Sequence, residues 1–363
     1  MRDLSFIVMK SAEELGSKIN DHLREIRNTD TDFRIPITES RFENGEGKAR
    51  VDKSIRDTDL FVLSDIGNYD VSFKMRGREH YMSPDEHFTD LKRVIAASSG
   101  HALRLSVITP LLYEARQDKR RGRESLDCAQ ALQELEHLNI RNFITFDAHN
   151  PGIQNAVPTM PFENFYPTAE ILMQMYQEYP EEMNNIVVIG PDMGAGDRAR
   201  LYSEILGCDM GCFYKRRDLS KVVDGKNPII EHTYLGGDIK NKNALIVDDM
   251  ISSGSSVLEV AEELKNRGVN KVFIATTFAL FTSGIEKFEK AYEDGILDKV
   301  FSTNLSYVPQ HIKDKEWYSD VDCSAMIADI IDTLNKSQST EPFHNRKSEA
   351  YKKLSLIRKP TNY

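Results

Sequence analysis

Short apolar runs alternate with amphipathic segments along most of this chain, and this alternation constrains the fold more than any other feature. Each run is rich in Val, Ile or Phe and is bounded by polar or turn residues, which is typical of buried strands. The predicted strands are Phe6–Met9, Leu60–Leu63, Leu105–Ile108, Phe143–Phe146, Ile186–Ile189, Ala244–Val247 and Val272–Thr276. The repeated strand–helix order predicts an α/β fold with mostly parallel sheets flanked by helices.

Two of the intervening segments have clear helical patterns. In 256–267 the apolar residues recur at helical spacing, and Gly268 follows at the position of a helix C-cap. The segment 197–206 has a similar pattern and is closed by Gly207. The polar residues 66–83 predict a surface loop or an irregular hairpin instead.

The length of 363 residues indicates two domains, at roughly 150 residues per domain. Pro, Asn and aromatic residues replace the periodic pattern near 158–165. We therefore predict an N-terminal domain over 1–163 and a C-terminal domain over 164–335. The two halves share one layout, because a strand leads into a short acidic motif in each, so the domains are expected to be similar.

The C-terminal segment 336–363 is rich in basic residues. A charge run of this kind predicts a solvated or frayed tail, which either packs back on the domains or is disordered. The cations are Arg346, Lys347, Lys352, Lys353, Arg358 and Lys359.

Composition excludes several classes of protein. The 47 Lys and Arg against 57 Asp and Glu give a formal net charge of -10, which disfavours nucleic acid as a partner. No apolar run approaches the roughly 20 residues that cross a bilayer, and the N-terminal apolar stretch is too short for a signal peptide. Four cysteines are too few for a disulfide scaffold. We expect a cytoplasmic protein that binds neither nucleic acid nor membrane.

The segment 244–256 carries the strongest chemical signal. A buried strand leads to Asp248 and Asp249, and a loop of small residues containing Gly254 then opens a helix. Backbone amides at such a helix N-terminus can bind phosphate, and the adjacent carboxylates suit ribose hydroxyls or a hydrated magnesium ion. Additional hydroxyl donors are Ser252, Ser253, Ser255 and Ser256. The alternative is an ordinary strand-to-helix turn with serine caps, although two charges after a buried strand are costly without a function.

This segment resembles the ribose-phosphate-binding loop of the type I phosphoribosyltransferase fold. Five further motifs accompany it, at 41–51, 115–120, 147–149, 190–200 and 214–217. In this order and spacing they resemble the ribose-phosphate diphosphokinase (phosphoribosyl pyrophosphate synthetase) family, over about residues 5–345. The resemblance implies two phosphoribosyltransferase-like domains and a magnesium-dependent transfer of the diphosphoryl group of ATP to the 1-hydroxyl of ribose 5-phosphate.

The resemblance also implies roles for basic and polar residues. Lys215 and Arg217 are expected to be catalytic and to close over the transferring diphosphate as the start of a mobile loop. Arg116 and Gln117 are expected to contact the phosphates and adenine of ATP. A plain basic turn at 215–217 and a surface ion pair of Arg116 are the alternatives.

Two further elements are assigned by the same resemblance. Phe42 and Glu46 match the adenine-binding element, and Asn44 between them is expected to bind ATP as well; in the family this element serves the site of a neighbouring subunit. This implies a homo-oligomer, a hexamer or a dimer, with a shared active site. His149 and Asp192 match the ligands of the metal, Mg²⁺, although a lone histidine after a strand is more often structural.

One departure from the family pattern leaves the nucleotide preference open, because Asn44 stands where the family usually has Asp. The alternative to an active enzyme is a non-catalytic regulatory paralogue that binds nucleotide or phosphosugar. A phosphoribosyltransferase that acts on a base would need neither the ATP elements nor a duplicated domain. Retention of the motif residues favours the active enzyme: Lys215, Arg217, His149, Asp192, Asp248 and Asp249.

Overall fold

The computed structural model describes residues 2–217 and 229–355, which divide into two compact units. The first unit comprises the chain up to Pro167 together with 304–308 and 322–345. The second comprises 168–303, 309–321 and the residues from Arg346 onward. Both units are α/β structures, as the sequence predicts.

Strands and helices alternate in both units. The strands are β1 (Leu4–Val8), β2 (Ile37–Arg41), β3 (Gly47–Val51), β4 (Asp59–Leu63), β5 (Ser72–Met75), β6 (Arg78–Tyr81), β7 (Arg104–Ile108), β8 (Asn142–Phe146), β9 (Phe162–Phe165), β10 (Ile186–Gly190), β11 (Met210–Arg217), β12 (Ile229–Leu235), β13 (Asn243–Ile251), β14 (Val272–Ala279), β15 (Lys299–Thr303) and β16 (Tyr318–Val321). The α-helices are α1 (Glu13–Arg27), α2 (Pro84–Ser98), α3 (Asp127–His137), α4 (Thr168–Glu178), α5 (Gly196–Leu206), α6 (Ser255–Asn266), α7 (Glu286–Glu293), α8 (Gln310–Lys313), α9 (Ser324–Asn335), α10 (Glu341–His344) and α11 (Arg346–Ser355).

The first unit is built on a five-stranded parallel sheet in the order β1-β4-β7-β8-β9. Two antiparallel hairpins, β2–β3 and β5–β6, stand outside this sheet. The second hairpin confirms the prediction made for 66–83. Helix α2 begins with a capping box between Ser83 and Glu86, and Pro84 occupies the first helical position, where its missing N–H costs nothing.

The second unit is built on a seven-stranded sheet in the order β12-β11-β10-β13-β14-β15-β16. Its strands are parallel except for the β11–β12 pair at one edge. From the central pair β10 and β13, the chain continues outward in opposite directions. The gap between their carboxyl ends is therefore a topological switch point, where α/β sheets bind ligands.

The predicted strands are all present, and most of them extend beyond the predicted bounds; β14 reaches Ala279, whereas β1 ends at Val8 and excludes Met9. Strand β13 continues past Val247 to Ile251 and pairs with β14 over that extension. The helices predicted over 256–267 and 197–206 correspond to α6 and α5. Gly207 and Gly268 both have left-handed backbone angles after these helices, with φ of 67° and 82°.

The continuous division at residue 163 is wrong, because the chain returns to the first unit near its C-terminal end. Helix α9 packs against α1. The Arg27 guanidinium donates to the Asp332 carboxylate at 2.9 Å and to the Asn335 side-chain oxygen at 2.7 Å. The segment 324–335 forms a largely buried α-helix, and its local sequence pattern does not indicate which unit it covers.

The described part of the C-terminal segment is not a frayed tail. Helix α10 packs on β9 of the first unit, and α11 packs on α4 and α5 of the second. Ala350 and Leu354 are buried, and the Tyr351 hydroxyl donates to the Glu204 carbonyl at 2.9 Å. Of the two alternatives, packing back is therefore the one observed up to Ser355. Residues 356–363 lie outside the described residues.

Within the described ranges, every helix is too short or too polar to cross a membrane.

Candidate active site

The loop after β13 makes a turn at the start of α6, and we call residues 252–256 the cradle. Gly254 has φ of +75°, and a Cβ atom there would lie 2.3 Å from the Phe288 ring. Only glycine fits both constraints. A glycine cap offers no side-chain acceptor to the first amides of α6, so an external anion can take that place.

The segment that follows β14 forms a second wall of the cradle. The Ser252 and Thr282 hydroxyls are 3.0 Å apart, and the Thr282 amide donates to the Ser252 carbonyl at 3.0 Å. The Lys287 ammonium donates to the Ser255 hydroxyl at 3.3 Å. The Ser253 hydroxyl lies 3.5 Å from that of Ser255. The cradle therefore combines amides, hydroxyls and one cation, which are the donors that bind phosphate.

The sequence predicts that Asp248 and Asp249 follow the strand. In the structure both carboxylates lie within β13, in the part that extends past Val247. Asp248 pairs with Thr276 of β14, and Asp249 is only 4% exposed. The Asp249 amide donates to Asp248 Oδ1 at 3.0 Å, and Arg198 Nη1 lies 3.9 Å from the same oxygen. Burial raises the pKa of Asp248 well above its ordinary range, and the neighbouring Asp249 raises it further, while Arg198 lowers it.

We predict that Asp248→Asn stabilises the protein in the absence of ligand. Because the pKa is raised on folding, the ionised carboxylate is destabilising, and stability falls as pH rises from about 3.9, the carboxyl pKa of the unfolded chain, toward the folded value. The free energy of unfolding should rise by about 1 kcal/mol at pH 7.5, as when a strained functional site is relieved. Urea unfolding measures this.

The exposed Asp294→Asn serves as the matched control for this prediction. The gain from Asp248→Asn should disappear as the pH falls below about 3.9, where the wild-type carboxyl becomes protonated in both the folded and the unfolded state. An asparagine variant that is less stable than the wild type at pH 7.5 would contradict the argument.

Asp192 follows β10, at the same sheet edge as Asp248. One carboxylate oxygen accepts from the Gly194 amide at 2.8 Å and the Ala195 amide at 3.1 Å, which caps the turn leading into α5. The residue is exposed. Burial, and next the charge of Asp192, raise the pKa of the Cys212 thiol on the adjacent β11. Asp192 thus has a structural role that leaves its second oxygen for a ligand.

Lys215 and Arg217 lie at the end of β11 rather than at the start of a loop. The strand runs to Arg217 and pairs with β12, where Lys215 stands opposite His232. The side chains of both cations and the residues 218–228, which include most of the predicted mobile loop, lie outside the described residues. Their roles stay predictions.

In the first unit, residues 42–46 form the tip of the β2–β3 hairpin. Phe42 is 55% exposed, and its amide donates to the Glu46 carbonyl at 2.8 Å. The Asn44 side-chain amide donates to Glu46 Oε2 at 2.8 Å, and Asn44 Oδ1 accepts from the Glu46 amide at 3.2 Å. An ionised aspartate could not make the first of these bonds. Asn44 therefore orients Glu46 beside an exposed aromatic face.

The hairpin tip is held by neighbours in its own chain. The Arg76 amide, from the β5–β6 turn, donates to the Glu43 carbonyl at 3.0 Å. The Arg41 guanidinium lies 4.8 Å from the centre of the Phe73 ring and 2.5 Å from the Asp90 carboxylate of α2. These contacts fix the hairpin that carries the exposed Phe42.

Two loops meet at the carboxyl ends of the adjacent strands β7 and β8. The Asn150 side chain donates to the Asp118 carboxylate, which joins the loop that carries Arg116 to the loop that carries His149. Arg116 and His149 are both exposed. The Gln117 side-chain amide donates to the Ser125 carbonyl at 2.9 Å and so organises its own loop. The structure thus brings Arg116, Gln117 and His149 to one edge of the sheet. The hairpin tip, residues 42–46, instead contacts the β5–β6 hairpin.

The predicted metal ligands belong to different units. His149 lies in the first and Asp192 in the second, and the described residues contain no group of three or more His, Cys, Asp or Glu side chains that could hold a metal. Mg²⁺ commonly uses one or two protein ligands and completes its shell with water and substrate phosphates. Among the described residues the second carboxylate oxygen of Asp192 accepts no hydrogen bond, and a carboxylate oxygen is the kind of ligand that such a magnesium ion takes.

Two residues near the cradle have no assigned role in the sequence interpretation. Arg198 lies in the first turn of α5 and approaches Asp248, and Lys287 lies on α7 and contacts Ser255. The strand order of the sheet is the information from which the positions of Arg198 and Lys287 near the cradle could have been predicted. Because β10 and β14 are the neighbours of β13, the segments that follow these two strands must border the cradle.

The second unit, with a phosphate cradle and a carboxylate pair at the switch point of its sheet, has the design of a phosphoribosyltransferase domain. Comparison with protein families agrees, since residues 166–311 match the phosphoribosyl transferase domain. Residues 4–138 match the N-terminal domain of ribose phosphate pyrophosphokinase. The chain therefore belongs to the ribose-phosphate pyrophosphokinase family.

Whole-chain comparisons agree with that assignment. Ribose-phosphate pyrophosphokinase of Vibrio vulnificus is 27% identical over 95% of this chain and all of its own length. The enzyme of the same name from Mycoplasma genitalium is 27% identical over 86% of this chain and 87% of its own. The crystal structure of phosphoribosylpyrophosphate synthetase from Mycobacterium smegmatis matches the fold with a TM-score of 0.73 at 22% identity, over 93% of this chain and all of that one.

Proposed function

We propose that this protein is a ribose-phosphate diphosphokinase. The 1-hydroxyl oxygen of ribose 5-phosphate attacks the β-phosphorus of ATP and the bond from that phosphorus to the α–β bridging oxygen breaks. The hydroxyl proton is released, and the products are phosphoribosyl pyrophosphate and AMP. The observation that carries the proposal is the cradle beside Asp248 and Asp249, in a chain whose other unit matches the N-terminal domain of this family.

Ribose 5-phosphate is assigned to the second unit. Its phosphate accepts hydrogen bonds from the first amides of α6 and from the cradle hydroxyls, and the helix N-terminus favours the negative charge. Asp248 and Asp249 accept hydrogen bonds from the ribose hydroxyls. Burial makes these bonds selective for a ligand with hydroxyl groups at these positions. A ligand without them would leave a buried, charged carboxylate without hydrogen-bond partners, which is costly.

ATP is assigned to the exposed elements of the first unit. The Phe42 face stacks on the base, and Glu46, oriented by Asn44, reads its polar edge. Arg116 and Gln117 contact the nucleotide, and Lys215 and Arg217 of the second unit stabilise the negative charge of the migrating group. His149 and Asp192 would hold Mg²⁺, which when bound offsets the repulsion between the two anionic substrates.

The proposed reaction is tested by its products. Purified protein, ATP, ribose 5-phosphate and magnesium should yield AMP and phosphoribosyl pyrophosphate in equal amounts, and omission of magnesium should abolish both. ADP as the sole nucleotide product would indicate an ordinary phosphoryl kinase. Binding of nucleotide without any AMP would favour the non-catalytic regulatory paralogue.

We also propose that the protein is a homo-oligomer in which the hairpin tip serves a neighbouring active site. The exposed Phe42, fixed by contacts within its own chain, presents its face away from its own core. Mixing Phe42→Ala and Lys215→Ala subunits should then restore activity, since some sites in the hybrid receive both intact groups. Absence of restored activity in a mixed oligomer would refute the sharing.

We predict that Phe42→Ala raises the KM for ATP about tenfold or more, because a base–aromatic contact is worth about 1–3 kcal/mol. The KM for ribose 5-phosphate should stay unchanged. Steady-state kinetics with each substrate varied measures both values. Tyr81→Ala, at another exposed aromatic residue of the first unit, is the matched control and should leave the KM for ATP unchanged.

A further inference from the structure

Lys287 is a cation at the cradle that the family motifs do not include. Its ammonium donates to the Ser255 hydroxyl at 3.3 Å, from the first turn of α7. The side chain is exposed, and among the described residues it has no carboxylate partner within ion-pair distance. We propose that Lys287 is a substrate-binding residue that contacts the phosphate of ribose 5-phosphate, an inference that rests on the proposed function.

Helix α7 is fixed against the cradle by its buried aromatic residue. The Phe288 ring is fully buried and fills the space where Gly254 lacks a side chain. It stacks on Trp317 with ring centres 5.7 Å apart and meets the Phe281 ring edge-on at 5.1 Å. Since Lys287 directly precedes Phe288, its backbone position relative to the cradle is fixed by this aromatic packing.

The electrostatic balance of the site indicates why a cation is needed. The cradle itself supplies neutral donors, namely amides and serine hydroxyls. Asp248 and Asp249 lie on the same sheet edge and, when ionised, repel a sugar phosphate. Arg198 is turned toward Asp248 at 3.9 Å. Lys287 is the described cation that contacts a cradle hydroxyl, and a charge-assisted bond to phosphate is about twice as strong as a neutral one.

The test is the KM of a Lys287→Ala variant. The KM for ribose 5-phosphate should rise about tenfold, the effect of losing one hydrogen bond to a charged group. The KM for ATP and kcat should stay within about twofold of the wild type, because the contact is made equally in the ground and transition states. Lys287→Arg should retain most of the affinity. Lys290→Ala, one turn further along α7, is the matched control.

Calorimetric titration of ribose 5-phosphate without ATP separates this inference from the proposed function. If the wild type binds the sugar phosphate but forms no AMP, the proposed reaction fails, and loss of binding in Lys287→Ala still supports the contact. If the wild type is active and Lys287→Ala has an unchanged KM and unchanged binding, the inference is overturned. An equal rise in both KM values would also overturn it, since that indicates a general disturbance of α7.

Discussion

Lys215→Ala is expected to lower kcat by about 10²–10³-fold, the usual effect of losing one group that stabilises developing charge. In the proposed reaction the migrating diphosphoryl group carries negative charge on its oxygens. We propose that Lys215, on β11, stabilises this charge in the transition state. Because this contact forms chiefly in the transition state, both KM values and the binding of ATP without turnover should change little.

Single-turnover kinetics with saturating substrates measures this effect directly. Arg217→Ala, two residues further along β11, should behave similarly. Lys240→Ala removes an exposed lysine from the same unit and serves as the matched control. Near-normal turnover in both Lys215→Ala and Arg217→Ala would assign the segment a structural role and favour the regulatory paralogue.

The sequence predicts the elements that local patterns determine. The buried strands are continuous apolar runs, so their positions are predicted correctly. The ends are less accurate, because β13 continues through Asp248 and Asp249 by pairing with β14. A charged residue normally ends a buried apolar run, and the pairing partner that keeps these two in a strand is not visible locally.

Long-range contacts explain what the sequence could not predict. Helix α9 is amphipathic by pattern alone, but its place in the first unit depends on α1 and on the bonds from Arg27. In the same way, Lys287 lies 32 residues beyond Ser255, and only the sheet order places it at the cradle. The Asn44 departure is a local exception that the structure explains through its bond to Glu46.

Gly254→Ala is the second substitution with a large expected effect. The alanine would keep an unfavourable φ of +75° and would place its Cβ atom 2.3 Å from the Phe288 ring. The backbone strain costs about 1–2 kcal/mol, and overpacking of a filled core costs about 1–3 kcal/mol more. We therefore expect the free energy of unfolding to fall by about 2–5 kcal/mol, or the cradle to shift enough to raise the KM for ribose 5-phosphate more than tenfold.

Gly207→Ala separates the two causes. Gly207 has a similar φ of +67° in the same unit, but no atom lies within 4 Å of the added Cβ position. This variant should lose only the contribution of backbone strain, about 1–2 kcal/mol of unfolding free energy, and should keep a normal KM for ribose 5-phosphate. Urea unfolding and steady-state kinetics on both variants test the argument. If Gly254→Ala were no worse than Gly207→Ala in both measurements, the Phe288 ring would not shape the cradle, and the rigid placement of Lys287 beside it would lose its support.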